Sequence, residues 1–190
     1  MTLKAPQDMM DAVTATMKER TGRSLDEWVA VVAASGLDPL DQNAVRRWLK
    51  SEHGVKQNSQ WAIADAAARA AGWVPPTVDE YIAEQYQGAK ASLRPIFDAL
   101  RPALAGLGDD VSVEGRASYI PFVRSRQFAA IAAATKTRVD LGLRFSDPPA
   151  SALLIASKGP GQATHKVELT AVSDVTREVL DLVRTAYEQN

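Results

Sequence analysis

The chain has 190 residues, 46% of them hydrophobic and 24% charged, a balance that supports a buried core without metal or disulfide staples. It contains no cysteine, which excludes a disulfide framework, a thiolate metal site and a cysteine nucleophile, and fits a cytoplasmic protein. A net charge of −1 gives no global attraction to nucleic acid or to an anionic membrane. The start has no continuous apolar run, so no signal peptide is expected, and the most apolar windows, such as "WVAVVAASGL", are far shorter than a bilayer span.

The N-terminal third reads as four short helices. In "QDMMDAVTATMKERTG", Met9, Val13 and Met17 recur every four residues before Gly22 stops the helix. "SLDEWVAVVAASG" opens on a capping box of Ser24 and Glu27. Leu25, Trp28, Val29 and Val32 then share one stripe, and Gly36 ends it. "LDQNAVRRWLKSEHG" takes Asp41 as N-cap, turns Val45, Trp48 and Leu49 inward and stops at Gly54. "NSQWAIADAAARAAG" takes Asn58 or Ser59 as cap, with Trp61, Ala64 and Ala68 inward. Trp28, Trp48 and Trp61 are expected to form the small core.

"GWVPPT" marks a boundary, because Pro-Pro cannot continue a helix. The expected domains are a helical bundle over 1–74 and an α+β domain over 77–190. Thr77 caps a long helix that Pro95 and Pro102 must kink or split. From Val111 the period falls to two. "VSVEG", "ASYIPFV", "RQFAAIA", "TRVDLGLRF" and "HKVELT" read as about four or five antiparallel strands, with "ALLIAS" ambiguous. Arg124-Ser125 turns a hairpin, and Pro121 argues for an edge strand or a bulge. "SDVTREVLDLVRTAYEQ" closes with a helix capped at Ser173. The fold class is therefore α+β: a small helical bundle followed by an antiparallel sheet packed with a long helix and a C-terminal helix.

"TGRSLDEW" followed by "VRRWLKSEHG" resembles the small helical domain of an uncharacterised bacterial family, and "YIPFVRSRQFAAIAAATKTRVDLGLRF" resembles the α+β domain often joined to it. Both are domains of unknown function. The resemblance implies a two-domain architecture and no catalytic residues.

No H-E-x-x-H, G-x-S-x-G or Walker-type loop is present, and neither His53 nor His165 has the carboxylate spacing of a metal site. No cofactor is implied. "SKGPGQ" reads as a surface turn rather than a phosphate cradle, and capping alone explains most of "TGRS", although Arg23 stands where an anion would bind. "AVRRWLKSEHGVKQNSQWAIADAAARA" has the rhythm of a helix-turn-helix. Its second helix offers Gln60, Arg69 and Asp65 among alanines, which is poor for base contact.

Charge is uneven. Residues 1–78 hold nine basic and nine acidic groups, a net of 0, whereas residues 111–170 hold eight and four, a net of +4. The expected binding face therefore lies on the sheet, with Tyr119, Arg124, Arg126, Lys136, Arg138 and Arg144 forming a basic, partly aromatic surface if they share a side. The leading reading is a non-enzymatic binding or interaction module for an anionic small molecule or protein partner. A nucleic-acid-binding accessory protein ranks second. An enzyme without a motif ranks third, with Tyr119, Glu114, Asp140 and His165 as its only nearby titrating groups.

Overall fold

The computed structural model describes residues 14–190, and the chain divides into two compact units, one ending at Pro75 and the other running from Pro76 to Asn190. The architecture is α+β. Met9 and Val13 lie outside the described residues.

The first unit holds α1 (Met17–Thr21), α2 (Leu25–Ala34), α3 (Gln42–His53) and α4 (Gln57–Ala70). The expected capping box is formed: Glu27 N donates to Ser24 Oγ at 3.2 Å, and Ser24 N donates to Glu27 Oε2 at 2.6 Å. Asp41 caps α3 by accepting from Ala44 N. Gly54 closes α3 in the left-handed region at φ +62°, where a side chain would be strained. The core is Met17, Trp28, Val32, Val45, Leu49, Val55 and Ile63, together with Ala62, Ala64 and Ala67 of α4. These alanines let α4 pack closely against both α2 and α3.

Two expectations for α4 are corrected. Its N-cap is Lys56, which makes no side-chain cap, and Ser59 is buried inside the first turn. The inward stripe is also rotated. Trp61 is 46% exposed rather than core, and Gln60 is buried. The cause is the amide: Gln60 Nε2 donates to the Val55 carbonyl at 2.5 Å, satisfying a backbone group that the tight α3–α4 link leaves without a partner.

The second unit holds α5 (Val78–Gln85), a 3₁₀ turn (Gly88–Leu93), α6 (Arg94–Ala105), strands β1 (Ser112–Val113), β2 (Ile120–Val123), β3 (Gln127–Ala132), β4 (Val139–Leu143), β5 (Ile155–Ala156) and β6 (His165–Leu169), a 3₁₀ turn (Val172–Asp174) and α7 (Arg177–Glu188). The long helix is split as expected, but the break falls over residues 86–93, and Pro95 opens α6 where its missing N–H costs nothing. The six strands form one antiparallel sheet in the order β1-β2-β3-β4-β6-β5. Pro121 sits in β2, which is flanked by β1 and β3 and so is not an edge. The irregularity it hinted at is a register shift between Phe122 and Val123. The cap of α7 is Thr176 instead of Ser173, which lies in the preceding 3₁₀ turn.

Alternation sends Ile120, Phe122, Ile131, Leu141 and Val167 to one face of the sheet. There they join Ile96, Phe97 and Leu100 of α6 and Val179, Leu182 and Val183 of α7 in one hydrophobic cluster. Phe97 and Phe122 are fully buried, each contributing about 2–3 kcal/mol by removal from water. The opposite face carries Ala130, Ala132, Asp140, Gly142, Lys166 and Glu168. Among the described residues, no helix is long and apolar enough to cross a membrane.

Candidate functional site

The six residues expected to form one face divide into two groups at opposite ends of the sheet. Arg138 and Arg144 flank the five residues of β4. At about 3.3 Å per residue they stand roughly 20 Å apart. Tyr119, Lys136 and Arg138 lie at one end, and Arg124, Arg126 and Arg144 at the other. Between them the loop 157–164 crosses the face over Gly142, where an added Cβ would meet Pro160 Cδ at 2.7 Å and Ala163 Cβ at 2.9 Å. "SKGPGQ" is thus a packed cover.

Most of these cations are also already engaged. Arg138 Nε lies 2.7 Å from Asp140 Oδ1 and its Nη1 3.1 Å from Glu168 Oε1. Lys166 Nζ lies 3.0 Å from Asp140 Oδ2 and 2.7 Å from Glu168 Oε1. Two cations therefore meet two carboxylates, and the Lys166 ammonium is held above its usual pKa by Glu168 first and then Asp140. Arg144 donates to Gln162 Oε1 at 2.5 Å. Arg124 pairs with Asp110 at 2.5 Å over the Tyr187 ring, and that guanidinium, aided by the Tyr187 hydroxyl, holds the Asp110 carboxyl below its ordinary range. Of the six, Tyr119, Arg126 and Lys136 keep side chains without a hydrogen-bond or ion-pair partner among the described residues.

The titrating candidates for an enzyme do not converge. Glu114 is bound by Arg116, Asp140 lies within the four-charge network, and His165 Nδ1 faces Thr164 Oγ1 at 3.1 Å. His53 stands edge-on to Trp28 and Trp48, with ring centroids 5.1 and 4.6 Å away. Among the described residues, no group of three or more His, Asp or Glu could hold a metal ion.

A different set of cations is assembled in the helical unit. The sharp turn at Gly54 joins α3 to α4 through Val55 and Lys56. It encloses a cleft of about 760 Å³ lined by Arg46, Arg47 and Lys50 of α3 and by Lys56, Gln57 and Gln60. Among the described residues no carboxylate lines it. Arg46 lies with its guanidinium 3.5 Å over the Trp61 ring and donates through Nη1 to Asn43 Oδ1 at 3.2 Å. Its Nε is buried and without a partner. The uncapped first turn of α4 adds backbone N–H groups and the positive end of a 14-residue helix to the same wall. A second cleft of about 440 Å³ shares Lys56 and Gln57 and adds Arg20 and Asn58. Sequence reasoning missed this set because its charge count was averaged over a neutral third of the chain. The local signal, "VRRWLK" followed six residues later by Lys56, was present.

A family model described as a domain of unknown function (DUF5655) matches residues 82–190. The chain belongs to this family. A second domain of unknown function, DUF4287, matches residues 9–67, and together they make a two-domain chain of uncharacterised type. No curated protein and no solved structure matches the chain. The α+β unit corresponds to the DUF5655 match, and the cationic clefts lie in the part that matches DUF4287.

Proposed function

We propose that the chain is a non-enzymatic binding protein that holds an anionic group in the cleft between α3 and α4. The observation that carries this reading is the convergence of Arg46, Arg47, Lys50 and Lys56 on a cavity that no carboxylate among the described residues lines. Calorimetric titration with inorganic polyphosphate at low and high salt tests it. Binding that weakens with salt, and falls at least about tenfold in Arg47→Ala/Lys50→Ala, is the expected result. Equal binding by wild type and variant removes the cleft from consideration.

A second reading concerns the Tyr119 end of the sheet. A groove of about 510 Å³ there is lined by Gln85, Lys90, Ser118 and Ala133. Gln85 donates to the Arg116 carbonyl at 2.9 Å while its Oε1 is buried with no donor. That arrangement suits a small polar ligand offering an N–H or O–H. It retains Tyr119 and Lys136 as neighbours of a binding site, with Arg138 held by its carboxylates.

A further inference from the structure

We infer that the cationic cleft takes the backbone of single-stranded nucleic acid, with an unpaired base set against Trp61; this rests on the anion-binding reading above. Four features of the helical unit point to it.

The first is length. The two clefts share Lys56 and Gln57, so Arg20, Lys56, Lys50, Arg47 and Arg46 border one continuous track. A single phosphate or carboxylate needs one such pocket. A chain of phosphates uses both. The second is charge: among the described residues neither cleft is lined by an acid, although residues 1–75 carry as many acids as bases by sequence. Along the described lining of both clefts a polyanion meets only cations.

The third is Trp61. The Trp61 indole on α4 is 46% exposed and has one ring face under the guanidinium of Arg46 from α3, at 3.5 Å. Trp61 does not line the cleft itself, but it stacks on Arg46, which does. The remaining exposed ring surface is a flat, sequence-tolerant platform of the kind bases stack on. The fourth is the polar lining. Asn43, Gln57 and Asn58 offer amide donors and acceptors beside the cations, which suits base edges better than an apolar protein partner.

Duplex reading fits less well. The residue that a recognition helix would use, Gln60, is buried on the Val55 carbonyl, and the rest of α4 presents mostly alanine. Stacking on Trp61 also needs a base that is free of its partner.

The test compares three probes on the full chain: fluorescein-labelled oligothymidylate, the same length of labelled duplex, and inorganic polyphosphate. Oligothymidylate should bind at low salt. Its log–log salt slope should be about −0.7 for each phosphate neutralised, and Arg47→Glu/Lys50→Glu should weaken it by about 100-fold. Trp61→Ala should weaken oligothymidylate by about tenfold and polyphosphate by much less, since only the base loses its stacking partner while Arg47, Lys50 and Lys56 remain. Trp61→Phe, which keeps a ring, should recover part of the loss. Polyphosphate and oligothymidylate binding equally, with Trp61→Ala weakening neither, would overturn the nucleic-acid inference and leave the anion-binding reading standing. Tighter binding to duplex, or equal loss of both single-chain probes in Trp61→Ala, would also overturn it. Absence of any polyanion binding at low salt would sink both readings.

Discussion

The two units handle their positive charge in opposite ways. In the sheet, register engages two cations of a segment that is net +4 by sequence: pairing Asp140 with Glu168 and Gly142 with Lys166 brings two carboxylates beside Arg138 and Lys166. In the helical unit, a segment that is net 0 by sequence sets four cations on a cleft that no acid among the described residues lines. Net charge along a chain therefore says little about where a polyanion would bind. What decides is whether folding brings the opposite charges together.

Removing that pairing is the strongest way to break the contrast. Asp140→Asn/Glu168→Gln keeps the shapes and removes both negative charges, leaving Arg138 and Lys166 without carboxylates. The variant should gain salt-sensitive polyphosphate affinity that survives Arg47→Glu/Lys50→Glu, so the sheet becomes the binding face that the sequence suggested. It should also lose about 2–3 kcal/mol of stability in urea, because Asp140 is only 8% exposed and its partners become half-buried cations without counter-charge. Unchanged stability would mean that the network is too hydrated to matter; unchanged anion affinity would mean that the loop 157–164 covers the face even with its charge uncompensated.

Element types were legible in the sequence wherever one local signal dominated. Ser24 with Glu27, and Thr77, announced helix starts. The alternation in "TRVDLGLRF" announced β4, and Gly54 a helix end. Side-chain roles were less legible. Parity correctly put Arg138 and Arg144 on one side of β4, but it could not show that a loop 15 or more residues later would settle on Gly142 between them. Helical periodicity made Trp61 a core residue, because a tryptophan weighs heavily on any apolar stripe. It gave no weight to Gln60, whose amide satisfies a buried carbonyl and thereby sets the rotation of α4. The candidate cleft was hidden for the same reason: it depends on the α3–α4 link, and a hydrogen bond from a residue counted as surface holds that link.

Gln60 therefore sharpens the comparison from the helical side. Gln60→Ala leaves the Val55 carbonyl buried without a donor, at a cost of about 1–2 kcal/mol by urea denaturation. It should also weaken polyphosphate binding severalfold, since Lys56 follows directly on Val55. A stability loss with full retention of binding would mean that the link holds its shape without the amide.

The smallest effects should be the ones the two units share. Each starts a helix with a capping box, Ser24 with Glu27 in one and Thr77 with Glu80 in the other. In both, the backbone N–H of the N-cap residue is the main reason that the glutamate carboxyl sits below its ordinary pKa. A carboxyl whose folded pKa is depressed contributes stability that is present above the unfolded value and lost as pH falls through the folded one. Both boxes should therefore weaken on acidification below the ordinary glutamate range, and Glu27→Gln or Glu80→Gln should flatten that part of the pH profile by similar amounts. Ser24→Ala and Thr77→Ala should each cost about 1 kcal/mol at neutral pH. Equal responses, read by thermal melts from pH 7 to about pH 3, would show that local helix initiation works alike in both units. The difference between them would then lie in how each fold places its arginines and lysines against its carboxylates. Unequal responses would locate part of that difference in the helix starts themselves.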